Sequence, residues 1–223
     1  MYHNIEFEIK SDALLISDAH YNPLGRTKLY DVLRNTNASQ IIFIGDVFDG
    51  LFGGVSYSYE INKRLIKLLN MLSLIKEVIY LEGNHDFKIA HLFPDIKYYP
   101  ISQQPILVTY KNERTFISHG DIYGGARYRI FSLVLRSDIF LRSYNFVNRY
   151  IFRNRLLHKE YKRMMDKNLC TDIENFESIA KERVKRYPKK DVKYIIEGHF
   201  HQDKTYEFDG VTYINLPSFA CEK

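Results

Sequence analysis

Five short apolar segments of this chain are each followed, within three residues, by a side chain that can bind a metal ion. Those side chains are Asp18, Asp46, Asn84, His119 and His199. Short runs that are rich in isoleucine and bounded by turn residues are typical of buried strands. Ligands bind outside the carboxyl ends of the strands in open α/β sheets, so the pattern predicts one rim that carries several metal-type ligands.

The first half of the chain alternates predicted strands with predicted helices. The strands cover 13–17, 41–45 and 77–81, and apolar residues at helical spacing predict helices over about 27–35 and 58–75. This alternation is typical of an α/β fold with crossover connections. The second half adds predicted strands at 105–109, 114–118, 193–197, 204–208 and 211–214, the last two joined by an Asp-Gly hairpin signal.

The size and composition of the chain fit one globular domain. It has 223 residues and is 45% hydrophobic, which is enough to bury a sizeable core. We therefore predict a single domain over 1–223, which contains a helical lid insertion at 122–168. Only Cys170 and Cys221 are present, too few for a disulfide framework, and we expect a reducing compartment. No signal-peptide pattern and no membrane-spanning apolar run is visible, which favours a cytoplasmic protein.

Five short motifs carry the chemistry of the predicted rim. They are Asp18-Ala-His20, Gly45-Asp46-Val-Phe-Asp49, Gly83-Asn84-His85-Asp86, Ser118-His119-Gly120 and Gly198-His199-Phe-His201. Each motif alone is weak, because a single histidine is more often a surface or hydrogen-bonded core residue than a ligand. All five in order, each after a predicted strand, favour a metal centre. Carboxylate, amide and imidazole ligands without thiolate suit Mn, Fe or Zn better than calcium.

The spacing within the motifs also has a physical interpretation. In an extended segment, residues i and i+2 point the same way, so Asp18 and His20 can reach one centre together, as can His199 and His201. The glycines before Asp46, Asn84 and His199 permit sharp turns at the strand ends. Asp49 has two interpretations that the sequence leaves open, a residue that supports a metal ligand or the N-cap of the following helix.

These motifs resemble the signature of the calcineurin-like metallophosphoesterases. The resemblance implies a sandwich of two sheets flanked by helices. It also implies two metal ions that share Asp46, one held with Asp18, His20 and His201, and the other with Asn84, His119 and His199. Manganese is the expected metal, with iron and zinc as alternatives. His85, paired with Asp86, is implied to contact the reacting phosphate. Two such ions activate water for attack on phosphorus and neutralise phosphoryl charge.

The predicted insertion is both apolar and basic. Residues 122–167 contain eleven Lys or Arg against three acidic residues, although the net charge of the whole chain is only +5. This asymmetry favours a surface that faces phosphate or an acidic membrane, while a solvated helix face would also account for it. A helical hairpin packed on the core would account for the apolar residues, and a lid for acyl chains is the functional alternative. We expect Arg149 and Arg153 to bind substrate.

The insertion, its place between His119 and His199, and the chain length resemble the UDP-2,3-diacylglucosamine pyrophosphatases of lipid A biosynthesis. The resemblance implies hydrolysis of UDP-2,3-diacylglucosamine to UMP and 2,3-diacylglucosamine 1-phosphate (lipid X). One position departs from the pattern, because the best-known branch carries arginine after Gly-Asn and this chain has His85. The chain therefore falls in a divergent branch.

Other functions fit parts of the sequence. Within the same family, the alternatives are a general phosphodiesterase, a nucleotide pyrophosphatase and a protein phosphatase. A non-catalytic scaffold of this fold is disfavoured because every expected ligand position is filled. A nucleic-acid partner is disfavoured because the basic residues alternate with large aliphatic ones rather than form a polar groove. We expect a nucleotide-lipid substrate, contact with the inner face of an anionic membrane, and no obligate protein partner.

Overall fold

Two β-sheets stacked face to face form the centre of the structure, a computed structural model that describes residues 4–188 and 191–221. In chain order the strands are β1 (Leu14–Ile16), β2 (Gln40–Ile44), β3 (Leu51–Phe52), β4 (Glu77–Leu81), β5 (Asp86–Phe87), β6 (Lys97–Tyr99), β7 (Ile106–Tyr110), β8 (Glu113–Ser118), β9 (Tyr194–Glu197), β10 (Lys204–Phe208) and β11 (Val211–Asn215). The first sheet has the order β1-β2-β4-β6 and is parallel throughout. The second has the order β10-β11-β9-β8-β7, and its three central strands are parallel.

Helices cover the outer faces of both sheets. The described α-helices are α1 (Lys28–Asn35), α2 (Ser56–Ser73), α3 (Ala126–Leu135), α4 (Asp138–Phe146), α5 (Arg155–Met165) and α6 (Phe176–Arg186). A π-helical turn, Val147–Ile151, links α4 to α5. Apolar side chains of α1 and α2 pack on the first sheet, and those of α6 pack on the second. The fold is a mixed α/β sandwich flanked by helices, as expected from the sequence.

Strand β2 shows why the sequence folds into layers. Its residues are all buried, and they alternate between two hydrophobic clusters. Ile41 and Phe43 face the helices α1 and α2, whereas Ile42 and Ile44 face the second sheet. Because side chains alternate across a strand, a continuous apolar run is stable only where both faces of the sheet are covered. The predicted strands all exist, with boundaries that differ by at most two residues.

The helices α3 to α5 lie in the sequence between β8 and β9, two strands of the second sheet, and pack partly on the core. Leu141, Leu157 and Tyr161 are buried in one cluster with Val55 and Phe87. The Tyr161 hydroxyl donates a hydrogen bond to the carbonyl oxygen of Gly50 and accepts one from the Asn62 amide at 2.8 Å. Other apolar residues in the same part of the chain, 130–152, are exposed: Ile130, Phe131, Leu133, Val134, Ile139, Phe140, Phe146, Tyr150, Ile151 and Phe152.

The two cysteines are paired in a disulfide, which the sequence did not indicate. Cys170 and Cys221 are 51 residues apart in sequence, and their Cα atoms are 5.6 Å apart. The fold brings the loop after α5 against the short C-terminal 3-10 helix Phe219–Cys221. The cysteine count therefore gives no argument for a reducing compartment. None of the helices in the described ranges has the length and apolar character to cross a membrane.

Candidate metal centre

The predicted ligands converge at the carboxyl ends of the strands. Three groups of side chains bring their ligand atoms within 4.8 Å of one another and could hold a metal ion. The groups are Asp18 with His20 and His201, His20 with Asp46 and His85, and Asp46 with His119 and His199. The amide oxygen of Asn84 lies 3.1 Å from Nε2 of His119, beside the third group. Six of the seven sequence-predicted ligands therefore belong to overlapping groups, and the seventh, Asn84, lies beside one of them.

The backbone conformation of the cluster differs from the expected extended one. The residues at positive φ include Asp18 (51°), His20 (46°), Asp46 (51°), His199 (68°) and His201 (60°). This region is uncommon for residues other than glycine and costs about 1 kcal/mol or more per residue. The pairs separated by two residues do converge, but through left-handed turns beyond the strand ends rather than through strand periodicity. Such strain is typical of functional sites.

Two glycines are required here because neighbouring ligand loops come very close. A Cβ atom at Gly45, whose φ is +74°, would overlap the imidazole of His119. A Cβ atom at Gly198 would overlap the Ser17 hydroxyl and lie 2.6 Å from Oδ2 of Asp18. Gly45 fits the expected need for a sharp turn, whereas at Gly198 the requirement is the close approach of the two loops.

Several histidines are oriented in the way that metal-binding histidines usually are. Nδ1 of His119 lies 3.0 Å from the carbonyl oxygen of Ile44, and Nδ1 of His201 lies 2.8 Å from that of Leu169. Their Nε2 atoms point into the cluster, where Nε2 of His201 is 3.1 Å from Oδ1 of Asp18. A hydrogen bond from Nδ1 fixes the tautomer and leaves the unprotonated Nε2 free to bind a cation.

Asp49 supports a metal ligand, which is one of the two roles that the sequence leaves open for it. Its Oδ1 lies 3.2 Å from Nδ1 of His20, and its Oδ2 accepts hydrogen bonds from Asn22 at 2.7 Å and Arg26 at 3.0 Å. The helix that follows, α2, begins only at Ser56, so Asp49 is not its N-cap. The carboxylate contacts the ring of His20 and is itself held by two donors.

Asp86 is not the partner of His85, and this part of the expectation is wrong. The Asp86 carboxylate accepts hydrogen bonds from the backbone N–H groups of Asp46, Val47, Phe48 and Gly83 and from the Tyr80 hydroxyl. It therefore braces the loop that carries Asp46. Nδ1 of His85 lies 3.0 Å from the carbonyl oxygen of Asp49. Burial, together with the charge of Asp46, raises the pKa of Asp86 to about 7.

The electrostatics of the cluster favour positive charge between the carboxylates. Burial alone would lower the pKa of His119, but the Asp46 carboxylate outweighs it and raises that pKa well above the ordinary value. Burial and the neighbouring His119 lower the pKa of His199 to about 4. Among the residues that the structure describes, the buried Nε2 of His20 has no hydrogen-bond partner. A buried nitrogen without a partner, among carboxylates and imidazoles, fits divalent metal ions such as Mn, Fe or Zn.

Comparison with known families agrees with this geometry. The model of the calcineurin-like phosphoesterases matches residues 13–203. The chain belongs to this family. The family is one of metallophosphoesterases, which implies divalent metal ions, and the groups described above are the candidate ligands.

Individual relatives are distant. A UDP-2,3-diacylglucosamine hydrolase of Coxiella burnetii is 23% identical over 178 residues, which cover 74% of this chain and 68% of that protein. Among solved structures, the phosphopantetheinyl hydrolase of Mycobacterium tuberculosis aligns over 92% of this chain and 89% of its own, with 12% identity and a TM-score of 0.41. A dimetal phosphatase from Danio rerio aligns over 93% and 87%, with 14% identity and a TM-score of 0.41.

An apolar cavity of this phosphoesterase adjoins the candidate centre. Its volume is about 410 Å³, and Asn84 and His85 form part of its wall. Most of the remaining wall comes from α3, α4 and the end of α5, including Tyr128, Phe131, Leu135, Phe140, Leu141, Tyr144 and Met164. We call it the lid cavity. Arg149 and Arg153, the expected substrate-binding residues, do not line it. Arg149 donates to the Ser56 hydroxyl at 3.3 Å, and Arg153 borders a separate surface cavity.

The arginine that does reach the ligand loops is Arg136, which the sequence did not single out. It follows α3, and its guanidinium donates to Glu82, to the carbonyl oxygen of Gly83 at 2.9 Å and to Asp121 at 3.5 Å. It thus connects the insertion to both the Asn84 loop and the His119 loop. Seven arginines between 127 and 155 look alike in sequence. Asp121, an acidic residue close to His119 in the sequence, is the one sequence feature that indicates a partner for an arginine of the insertion.

Proposed function

We propose that this phosphoesterase hydrolyses the pyrophosphate of UDP-2,3-diacylglucosamine to UMP and 2,3-diacylglucosamine 1-phosphate. The observation that carries the proposal is the apolar lid cavity of about 410 Å³, whose wall includes His85 at the candidate metal centre. A cavity walled by Phe131, Leu135 and Phe140 suits an acyl chain, because burial of apolar surface stabilises by about 25 cal/mol per Å². A small polar phosphate ester has no apolar chain that could cover this wall.

The name of the relative in Coxiella burnetii supports the same substrate class. That protein is a UDP-2,3-diacylglucosamine hydrolase, and the aligned part covers 74% of this chain. At 23% identity the relationship supports a shared reaction type more strongly than a shared substrate. The lid cavity is the independent feature that favours a substrate with long apolar arms over a general phosphodiesterase.

We assign two divalent ions, manganese in the first place, to the ligand cluster. One would be held by Asp18, His20, Asp46 and His201, and the other by Asp46, Asn84, His119 and His199. When bound, such ions supply Lewis-acid stabilisation of phosphoryl oxygens and lower the pKa of bound water. The carbonyl oxygen of Asp49 holds Nδ1 of His85, and the His85 side chain groups with His20 and Asp46, so that its Nε2 would be available to a phosphoryl oxygen.

We further propose that the insertion, residues 122–168, acts as a lid that contacts an anionic membrane on its cytoplasmic face. Ten large apolar side chains between Ile130 and Phe152 are exposed. Eleven Lys or Arg lie in the same part of the chain. An apolar surface edged by basic residues favours the interface of an anionic bilayer, where a diacylated substrate would reside.

The test of the proposed reaction is direct. The purified protein, loaded with Mn²⁺, is incubated with UDP-2,3-diacylglucosamine in oxygen-18-labelled water, and the products are analysed by mass spectrometry. We expect UMP and lipid X, with the heavy oxygen in UMP. UDP-N-acetylglucosamine, which lacks the acyl chains, is the matched control and should be cleaved far more slowly. Equal cleavage of both compounds, or none of the lipid with turnover of a generic aryl phosphodiester, would overturn the lipid assignment.

A further inference from the structure

A second cavity adjoins His199 rather than His85. Its volume is about 470 Å³, and its walls come from the loop after β8 and from helix α6. We call it the α6 cavity. Tyr128 lines both this cavity and the lid cavity. Two cavities of different chemistry thus border the same candidate centre, one at the Asn84–His85 loop and one at His199.

The walls of the α6 cavity are aromatic and cationic. The guanidinium of Arg183 contacts the rings of both Tyr123 and Phe200, 5.3 and 5.2 Å from their centroids. Its N–H groups are taken by Glu197 and by the carbonyl oxygen of Gly120, so Arg183 holds the two rings in place rather than offering donors. Flat aromatic walls of this kind bind ring systems.

Arg186 supplies a cation that is available to a ligand. It is exposed, and one guanidinium N–H donates to the carbonyl oxygen of Tyr123 at 2.6 Å. It forms no ion pair with a carboxylate in the described ranges. Glu182, which also lines the cavity, is paired with Lys185 at 2.6 Å. The free donors of a guanidinium match the oxygens of a phosphate or of a nucleobase.

Asp121, which also lines the α6 cavity, has a buried acceptor atom without a partner in the part of the chain that the structure describes. Its Oδ2 accepts from the Tyr128 hydroxyl at 3.2 Å, and the Arg136 guanidinium lies 3.5 Å away. Its Oδ1 is buried and has no hydrogen-bond partner among the residues described. The Asp121 residue as a whole is only 5% exposed. Because an unsatisfied buried acceptor is costly, this atom favours a ligand that brings an N–H or O–H donor.

We propose that the α6 cavity binds the nucleotide arm of a pyrophosphate substrate while the lid cavity binds the acylated arm. The inference rests on the proposed function, because it takes the reacting phosphates to lie at the metal centre between the two cavities. A nucleotide combines the three features that the cavity matches: a flat ring, N–H and O–H donors, and an anionic phosphate. A phosphomonoester, with a single organic arm, would leave one of the two cavities without a role.

Titration calorimetry on the Mn-loaded full chain tests the site, with UMP as the probe and inorganic phosphate as the reference. We expect UMP to bind more tightly than phosphate. Arg186→Ala removes the available cation, and Ser178→Trp fills the cavity from an exposed position on α6. Each should weaken UMP binding by at least about tenfold and phosphate binding much less. Lys181→Ala, an exposed cation on the same helix outside the cavity, is the matched control and should leave the UMP affinity unchanged.

The outcomes separate this inference from the proposed reaction. UMP that binds no more tightly than phosphate, or both variants within about twofold of the parent chain, would overturn the site. If the parent chain does not cleave UDP-2,3-diacylglucosamine but the variants bind UMP more weakly, the nucleotide site stands and the lipid substrate is wrong. If both variants cleave the lipid with the KM of the parent chain, the α6 cavity is not the nucleotide site.

Discussion

The Asp49 carboxylate lies 3.2 Å from Nδ1 of His20, and each of these side chains is only 2% exposed. Asn22 and Arg26 hold the same carboxylate from its other side. The Asp49 carboxylate therefore acts on the candidate metal centre through His20, while its backbone carbonyl oxygen holds Nδ1 of His85. A substitution of Asp49 therefore tests the contact that supports His20 without removing a metal ligand.

Asp49→Asn should weaken metal binding without unfolding the protein. The amide keeps the shape of the carboxylate but loses its charge, and its NH₂ group faces the donors of Asn22 or Arg26. Loss of such a supporting carboxylate typically costs about 10–100-fold in metal affinity. Calorimetric titration with Mn²⁺ measures the change, and circular dichroism reports the fold. Asp31→Asn, an exposed acid on α1, is the control, and equal affinities in the two variants would contradict the assigned role.

Asp46→Ala and His119→Ala should each abolish hydrolysis while the fold persists. Asp46 belongs to two of the three ligand groups, and His119, which is fully buried, belongs to one of these two together with His199. We expect turnover of bis(4-nitrophenyl) phosphate with Mn²⁺ to fall by at least about 100-fold, as is common when a residue of a catalytic unit is removed. His91→Ala, an exposed histidine outside the cluster, should be indistinguishable from the parent chain. Near-normal turnover in either ligand variant would refute the site.

The positions of the ligands could be predicted from sequence because strand ends are a local property. Asp18, Asp46 and His199 each lie two residues beyond a buried strand, and parallel neighbours bring such ends to one rim. Backbone conformation at the same residues could not be predicted, because positive φ at an aspartate or histidine is imposed by surrounding contacts rather than by propensity.

Contacts between residues that are far apart in the sequence could not be predicted either. Asp86 was expected to pair with the adjacent His85, yet it binds the backbone of the Asp46 loop some 40 residues earlier. Arg136 looked like any other arginine of the insertion until the fold placed it against Glu82 and Gly83. The Cys170–Cys221 pair likewise depends on how two loops meet in space. Sequence patterns within one element carry no information about such contacts.

Phe140→Ala should impair the lipid substrate more than a small ester. The Phe140 ring lines the lid cavity, and removing it takes away apolar surface that an acyl chain would cover. We expect kcat/KM for UDP-2,3-diacylglucosamine in detergent solution to fall about tenfold more than that for bis(4-nitrophenyl) phosphate. Phe146→Ala is the matched control, because this phenylalanine lies on the same helix outside the cavity. Equal losses on both substrates would indicate a purely structural role for Phe140.

Glu77, the first residue of β4, should make the free energy of unfolding depend on pH. Burial raises its pKa, but hydrogen bonds from Lys97, Lys10 and Gln40 outweigh this and leave it below the ordinary value. A lowered pKa in the folded state adds stability above the unfolded pKa, which is lost as the pH falls through the folded pKa. Glu77→Gln should therefore reduce the free energy of unfolding by about 0.5 kcal/mol at neutral pH and by nothing in acid. Urea titrations at both pH values measure the difference, and a gap that persists in acid would contradict it.

The outward face of the insertion should bind anionic vesicles. Leu133, Ile139 and Ile151 are 71%, 81% and 62% exposed, and none of them lines the lid cavity. Changing all three to serine removes apolar surface that would enter the bilayer interface while the basic residues remain. We expect the triple variant to lose most of its cosedimentation with phosphatidylglycerol vesicles. Binding of the parent chain should decrease with added salt and be weak on phosphatidylcholine alone, because the basic residues contribute through screened charge interactions.

The matched control for this surface lies at the end of α2. Met71, Leu74 and Ile75 are 65%, 73% and 77% exposed, which makes them as apolar and as accessible as the insertion residues. Their triple serine variant should bind vesicles like the parent chain, since residues 60–77 carry four Lys or Arg against two acids, a smaller basic excess than that of residues 122–167. If both triple variants lose binding equally, exposed apolar area alone governs the interaction. If neither does, the insertion has no membrane-binding role, and its exposed side chains need another explanation.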